Sequence, residues 1–98
     1  TATEILQTVA RIYEINEQDL SQRTRRKEVV VPRQVAMYLL RNDFNASLSY
    51  IGKKFGGRDH TTVMYACKKM SHALKTDKQL GDMIKKIRAH LEGTQPAP

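Results

Sequence analysis

Residues 47–63 read SLSYIGKKFGGRDHTTV, and residues 64–75 continue MYACKKMSHALK. Ser47 has the short hydroxyl side chain that caps a helix N-terminus, so a short helix is expected from Leu48 to Phe55. Gly56 and Gly57 then end it, because glycine accepts the left-handed conformation that follows a helix. Only Arg58 separates them from Asp59, an N-cap for a second helix running to about Lys75. Two helices joined by a tight turn containing glycine form a helix-turn-helix. Helical hairpins are common, so the motif alone says little about a ligand.

The faces of the second helix say more. With Val63 at zero and a step of about 100° per residue, Cys67, Met70 and Leu74 fall within about 40° of it. These four are the expected core seam. The opposite side carries Thr61, Tyr65, Lys68 and His72, flanked by Thr62 and Lys69, with no acidic residue. A recognition helix sets its N-terminal residues against base edges in the major groove. There a hydroxyl donates or accepts, a threonine methyl meets a thymine methyl, and Asp59 could accept from a cytosine amino group. The plainer alternative is a solvated face with Asp59 as a simple cap.

Upstream of the pair, Pro32 is read as the first residue of a helix over 32–43, since its missing N–H is not needed there. Val35 to Leu40 is an unbroken apolar run, so this helix should be central and buried. Arg33 and Gln34 would then sit at a helix N-terminus, where free N–H groups and the helix dipole favour a phosphate. Residues 22–31, QRTRRKEVVV, show no helical period and read as an extended or loop segment. Arg23, Arg25, Arg26 and Lys27 form a basic arm on it. Such runs are usually solvated, but arginines beside a helix-turn-helix commonly reach an adjacent minor groove.

Further out, Ile5, Val9 and Ile12 form an amphipathic stripe over residues 3–14, with Thr3 as its expected cap. Asn16 could cap a short turn over 17–21. Thr76 or Asp77 should start a last helix carrying Leu80, Ile84, Ile87 and Leu91. The class is all-α: a small helical domain with a helix-turn-helix and a basic loop. The expected organisation is a packing or linker helix over 1–20, the DNA-binding unit over 21–93 and a flexible tail over 94–98.

Composition agrees. The 98 residues suit one small domain, and the net charge of +7 is concentrated. Residues 21–75 hold twelve basic and three acidic residues, whereas residues 1–20 hold one basic and four acidic. A concentrated excess implies a polyanionic partner, nucleic acid or acidic lipid. The lone Cys67 cannot form an internal disulfide, which fits a reducing cytoplasm. No run approaches a membrane span. The absence of an initiator Met and of a signal pattern reads as a piece of a longer protein.

The segment FGGRDHTTVMYACKKM, residues 55–70, resembles the signature of the DnaA replication initiators. SQRTRRKEVVVPRQVAMYLL, residues 21–40, is similar to the family's basic loop, its Pro-Arg-Gln and its apolar helix. The likeness spans at least residues 3–91, and the block GGRDHTTV is unusual enough to be specific. It implies sequence-specific binding of double-stranded DNA at DnaA boxes (TTATNCACA-like) in a bacterial replication origin, one monomer per site. The base-contacting set it implies is Asp59, His60, Thr61 and Thr62 in the major groove, Leu48 against a thymine methyl, and Arg25 in the minor groove. The phosphate-contacting set is Arg33, Gln34, Arg58, Tyr65 and Lys69. Two positions depart from the pattern: Tyr65 stands where many members have His, and Ser49 where some have Pro.

The resemblance also implies an upstream ATPase domain, acidic phospholipids as a secondary partner, and location at the nucleoid in the bacterial cytoplasm. Within this chain no cofactor is expected and no catalysis. It has no Gly-rich loop followed by Lys-Ser or Lys-Thr, and His60, His72 and His90 lack metal-ligand spacing with Cys67. The polar face of helix 3–14 is net acidic, which disfavours anionic lipid as its first partner. Non-specific DNA coating would share the salt dependence of specific binding but not its sequence preference.

Overall fold

Helix α1 (Ala2–Tyr13) and the short α2 (Glu17–Ser21) lead into a long α3 (Lys27–Asn42). These are followed by α4 (Leu48–Lys54), α5 (His60–Ala73) and α6 (Lys78–Gly93). The structure, a computed structural model, describes residues 1–22 and 26–93, and no strand occurs among them. The expected tail over 94–98 lies outside the described residues.

Helix α3 is the central element, as its apolar run predicts. Every residue from Val35 to Leu40 is buried. Helix α3 packs on α1, α2, α4 and α5. Side chains such as Val35, Leu39, Leu40, Ile51, Phe55 and Val63 are withdrawn from solvent. Burial of each such side chain stabilises the fold by ~1.5–3 kcal/mol.

The start of α3 differs from the expectation. It begins at Lys27, five residues before Pro32. Arg26 is its extended N-cap, and the Arg26 carbonyl accepts from Val29 N and Val30 N at 3.0 and 3.1 Å. The β-branched Val29 is fully buried. Its burial outweighs the weak preference of valine for extended backbone. Pro32 therefore lies inside the helix, where the bond it withholds is the one to the Glu28 carbonyl in the first turn.

Helix α1 starts at Thr1 rather than Thr3: the Thr1 hydroxyl accepts from Glu4 N at 3.3 Å. Its buried face, Ala2, Ile5, Leu6, Val9 and Ala10, closes the core against α3 and α6. Helix α6 is capped by Asp77, whose carboxylate accepts from Leu80 N at 3.0 Å. Leu80, Ile84 and Ile87 are buried beneath it. Arg88 donates to both carboxylate oxygens of Asp43, at 2.8 and 3.0 Å, and ties α6 to the end of α3.

Candidate nucleic-acid interface

The turn between α4 and α5 is built on one glycine carbonyl. Gly52 O accepts from Phe55 N at 3.2 Å, Gly57 N at 3.0 Å and Arg58 N at 2.9 Å. Gly56 and Gly57 have φ of 82° and 78°, the left-handed region that glycine enters without strain. Gly52 is needed for a different reason. A Cβ there would lie 2.2 Å from the Arg58 carbonyl oxygen. The chain entering α5 is thus folded directly onto α4, with Ile51, Phe55 and Val63 fully buried beneath. At the other end the Ser47 hydroxyl accepts from Tyr50 N at 3.0 Å, as its cap role requires.

Asp59 is the extended N-cap of α5, but its side chain caps no backbone N–H. Its carboxylate accepts instead from the Thr61 hydroxyl. His60 Nδ1 lies 3.1 Å from the other oxygen. The Thr61 hydroxyl above all, with the nearby His60 adding to it, holds the Asp59 carboxyl below its ordinary range. Asp59 is therefore an ionised acceptor at the open end of α5.

The outward face of α5 stands where the helical period puts it. Thr61, Thr62, Lys68, Lys69 and His72 are exposed, and Tyr65 is 67% exposed. Leu48, on α4, is half-buried. The core seam is rotated from the expectation: Ala66 joins Val63 and Met70 as fully packed, while Cys67 and Leu74 lie at its edge. Helix α3 is the cause. Cys67 Sγ meets the Met37 carbonyl at 3.7 Å, and burial pushes its thiol pKa up.

The basic arm resolves into residues with distinct surroundings. Arg23 and Arg25 lie outside the described residues. Arg26 pairs with Asp19 at 3.0 Å and with Glu28 at 3.8 Å. Lys27 is exposed and Gln34 half-buried. Arg33 is only 6% exposed. It sits within α3 and not at a helix N-terminus, so the free N–H groups expected beside it belong to Lys27 and its neighbours. Its guanidinium donates to Leu20 O at 3.3 Å and to Gln22 O at 2.9 Å. Arg58 donates to the same Gln22 carbonyl at 3.5 Å. Burial and the nearby Arg58 cation both lower the pKa of Arg33.

Side-chain type and spacing placed Thr61, Thr62, Tyr65 and Lys69 on one exposed edge of α5. They gave no sign of the Asp59–Thr61 bond, which depends on a non-helical cap, nor of the Gln22 carbonyl, which any residue could have supplied. Gly52, a glycine inside a short helix, was the one visible signal of the close approach.

The family model for the bacterial dnaA protein helix-turn-helix matches residues 2–70. This chain belongs to the DnaA helix-turn-helix family. It is 48% identical over 92 residues to the chromosomal replication initiator protein DnaA of Chloroflexus aggregans, covering 94% of this chain and 19% of that protein. The DnaA of Lactobacillus johnsonii is 46% identical over 90 residues, 92% of this chain and 20% of that protein. The DnaA of Latilactobacillus sakei is 50% identical over 80 residues, 82% of this chain and 18% of that protein. The chain thus spans about a fifth of these DnaA relatives. It is a DnaA helix-turn-helix domain.

Proposed function

We propose that this domain reads DnaA boxes of the TTATNCACA kind in duplex DNA, one monomer per box, and so delivers an upstream ATPase domain to a bacterial replication origin in the cytoplasm. The observation that carries the reading is the exposed edge of α5. It presents the ionised Asp59, with Thr61, Thr62, Tyr65 and Lys69 on one side of the helix and no further acid among them.

In this mechanism the basic middle of the chain attracts the duplex and releases its counterions. Lys69, Tyr65 and Gln34 contact phosphates and set the register. Helix α5 then enters the major groove N-terminus first. Asp59 accepts from a base amino group. Its bond to Thr61 uses the hydroxyl proton, so Thr61 faces the bases with its methyl and a lone pair. Thr62 and His60 read neighbouring edges, and Leu48 packs on a thymine methyl. Arg25 enters the adjacent minor groove.

Fluorescence anisotropy tests this with labelled duplexes carrying TTATCCACA or a scrambled sequence, at two salt concentrations. The expected result is at least ~10³-fold tighter binding to the box, retained at the higher salt. Equal binding to both duplexes, vanishing together with salt, would leave a non-specific DNA-coating domain.

A further inference from the structure

The last turn of α4 carries two neighbouring lysines with different surroundings. With a step of about 100° per residue, Ser49, Tyr50, Lys53 and Lys54 fall on the side of α4 opposite the buried Ile51, Gly52 and Phe55. One step from Gly52 comes Lys53, and a second step carries Lys54 round to the flank that faces α2. There Lys54 lines a cleft with Glu17, Leu20 and Ser21. Its Nζ lies 5.7 Å from the centre of the Tyr50 ring, within range of a cation–π contact. Lys53 has the opposite neighbour. The Gly52 carbonyl beside it accepts from Arg58 N at 2.9 Å, and Asp59, the cap of α5, follows Arg58. The chain that opens α5 therefore runs close to the Lys53 backbone. Lys53 is exposed, and no carboxylate pairs with either lysine among the described residues.

We propose that Lys53 is a phosphate anchor on the first helix of the motif: it grips the DNA backbone beside the point where α5 enters the major groove, whereas Lys54 stays off the DNA. In a helix-turn-helix complex the first helix crosses the backbone while the second lies in the groove. Gly52 brings the two helices to their closest approach, so the cation one residue further along is carried to the rim of that groove. Lysine suits the place, because its compact charge on a flexible four-carbon stem meets a phosphate oxygen without a fixed geometry. Such a contact sets position and reads no base. The negative end of the α4 dipole favours both lysines alike, so it cannot distinguish them, and a DNA contact does. The inference rests on the docking proposed above, with α5 entering N-terminus first.

The two lysines carry the same charge, so each is the control for the other. Lys53→Gln and Lys54→Gln are compared with the unchanged chain by anisotropy on box and scrambled duplexes over a salt series, with circular dichroism as the check on folding. K53Q should make the slope of log K against log salt shallower by ~0.9 on both duplexes, as one lost phosphate contact does. Across a fourfold rise in salt the unchanged chain should then lose ~3–4-fold more affinity than K53Q. K54Q should keep the slope of the unchanged chain. An unaltered slope in K53Q overturns the proposal. So does an equal change in K54Q, which would mark an effect of net charge or of the helix dipole, and so does a loss confined to the box duplex.

Lys53→Arg separates charge from packing. It keeps a cation at this position and should keep the slope of the unchanged chain, whereas a slope as shallow as that of K53Q overturns the proposal. If the unchanged chain binds both duplexes alike, the box reading proposed above falls, and the contrast between K53Q and K54Q on either duplex still decides the role of Lys53. If the unchanged chain discriminates and K53Q keeps its slope, only the anchor falls.

Discussion

Single residues decide the exposed edge of α5. The Thr61 hydroxyl is the largest cause of the low Asp59 pKa. Thr61→Val removes the hydroxyl at nearly constant shape, so the Asp59 carboxyl should titrate at higher pH in that variant. A carbon-detected NMR titration reads this directly. The sign follows from the direction of the shift: the Asp59 acceptor persists above its depressed pKa and is lost only as pH falls through it. Box binding should therefore show no loss from Asp59 protonation between pH 7 and the ordinary carboxylate range. Gly52 is the other decisive residue. Gly52→Ala places a Cβ against backbone at 2.2 Å, with no flexible side chain to give way. A loss of ~1–3 kcal/mol or more is expected in thermal denaturation, larger than for an ordinary helix substitution. The glycines of the turn were legible because their role is local. Gly52 was not read as a contact, because the Arg58 carbonyl reaches it only after the turn has closed.

At the scale of elements, α5 has two faces with different tasks. Its inner face packs on α3, which makes Cys67 an edge residue whose thiol is shielded. Alkylation of Cys67 at pH 8 should be slow in the folded domain and fast in denaturant, because burial disfavours the reactive thiolate. Equal rates in both states would show that α5 does not pack as described. Helix α6 offers a second test. Asp77 caps it through Leu80 N, so Asp77→Ala should cost ~1 kcal/mol of stability. DNA discrimination should be untouched, since α6 carries none of the residues proposed to read DNA.

Across the whole molecule, charge is divided along the chain. The acidic residues of the first 20 positions lie mainly on α1 and α2, and the basic residues cluster over 21–75. One consequence is measurable. Lys69→Ala should weaken box and scrambled duplexes alike and make the slope of log K against log salt shallower by ~0.9, the signature of one lost phosphate contact. A sequence-dependent effect of Lys69→Ala would instead make it a base-reading residue. Charge of this kind was legible from the sequence because it needs no fold to be counted. Which cations are already engaged was not: Arg26, though exposed, pairs with Asp19, and Arg33 is buried on backbone carbonyls.

By itself the sequence determined the helix-turn-helix and the outward face of its second helix. Caps, turn glycines and the helical period act within a few residues, so their physics is complete before the chain folds. Only the tertiary structure decided where α3 begins, which way the α5 seam turns and what Arg33 holds. Each of those depends on burial against a distant element: Val29 withdrawn from solvent, Cys67 meeting Met37, and a guanidinium meeting carbonyls 11 and 13 residues away. Local preference and the position of a proline were too weak to oppose them.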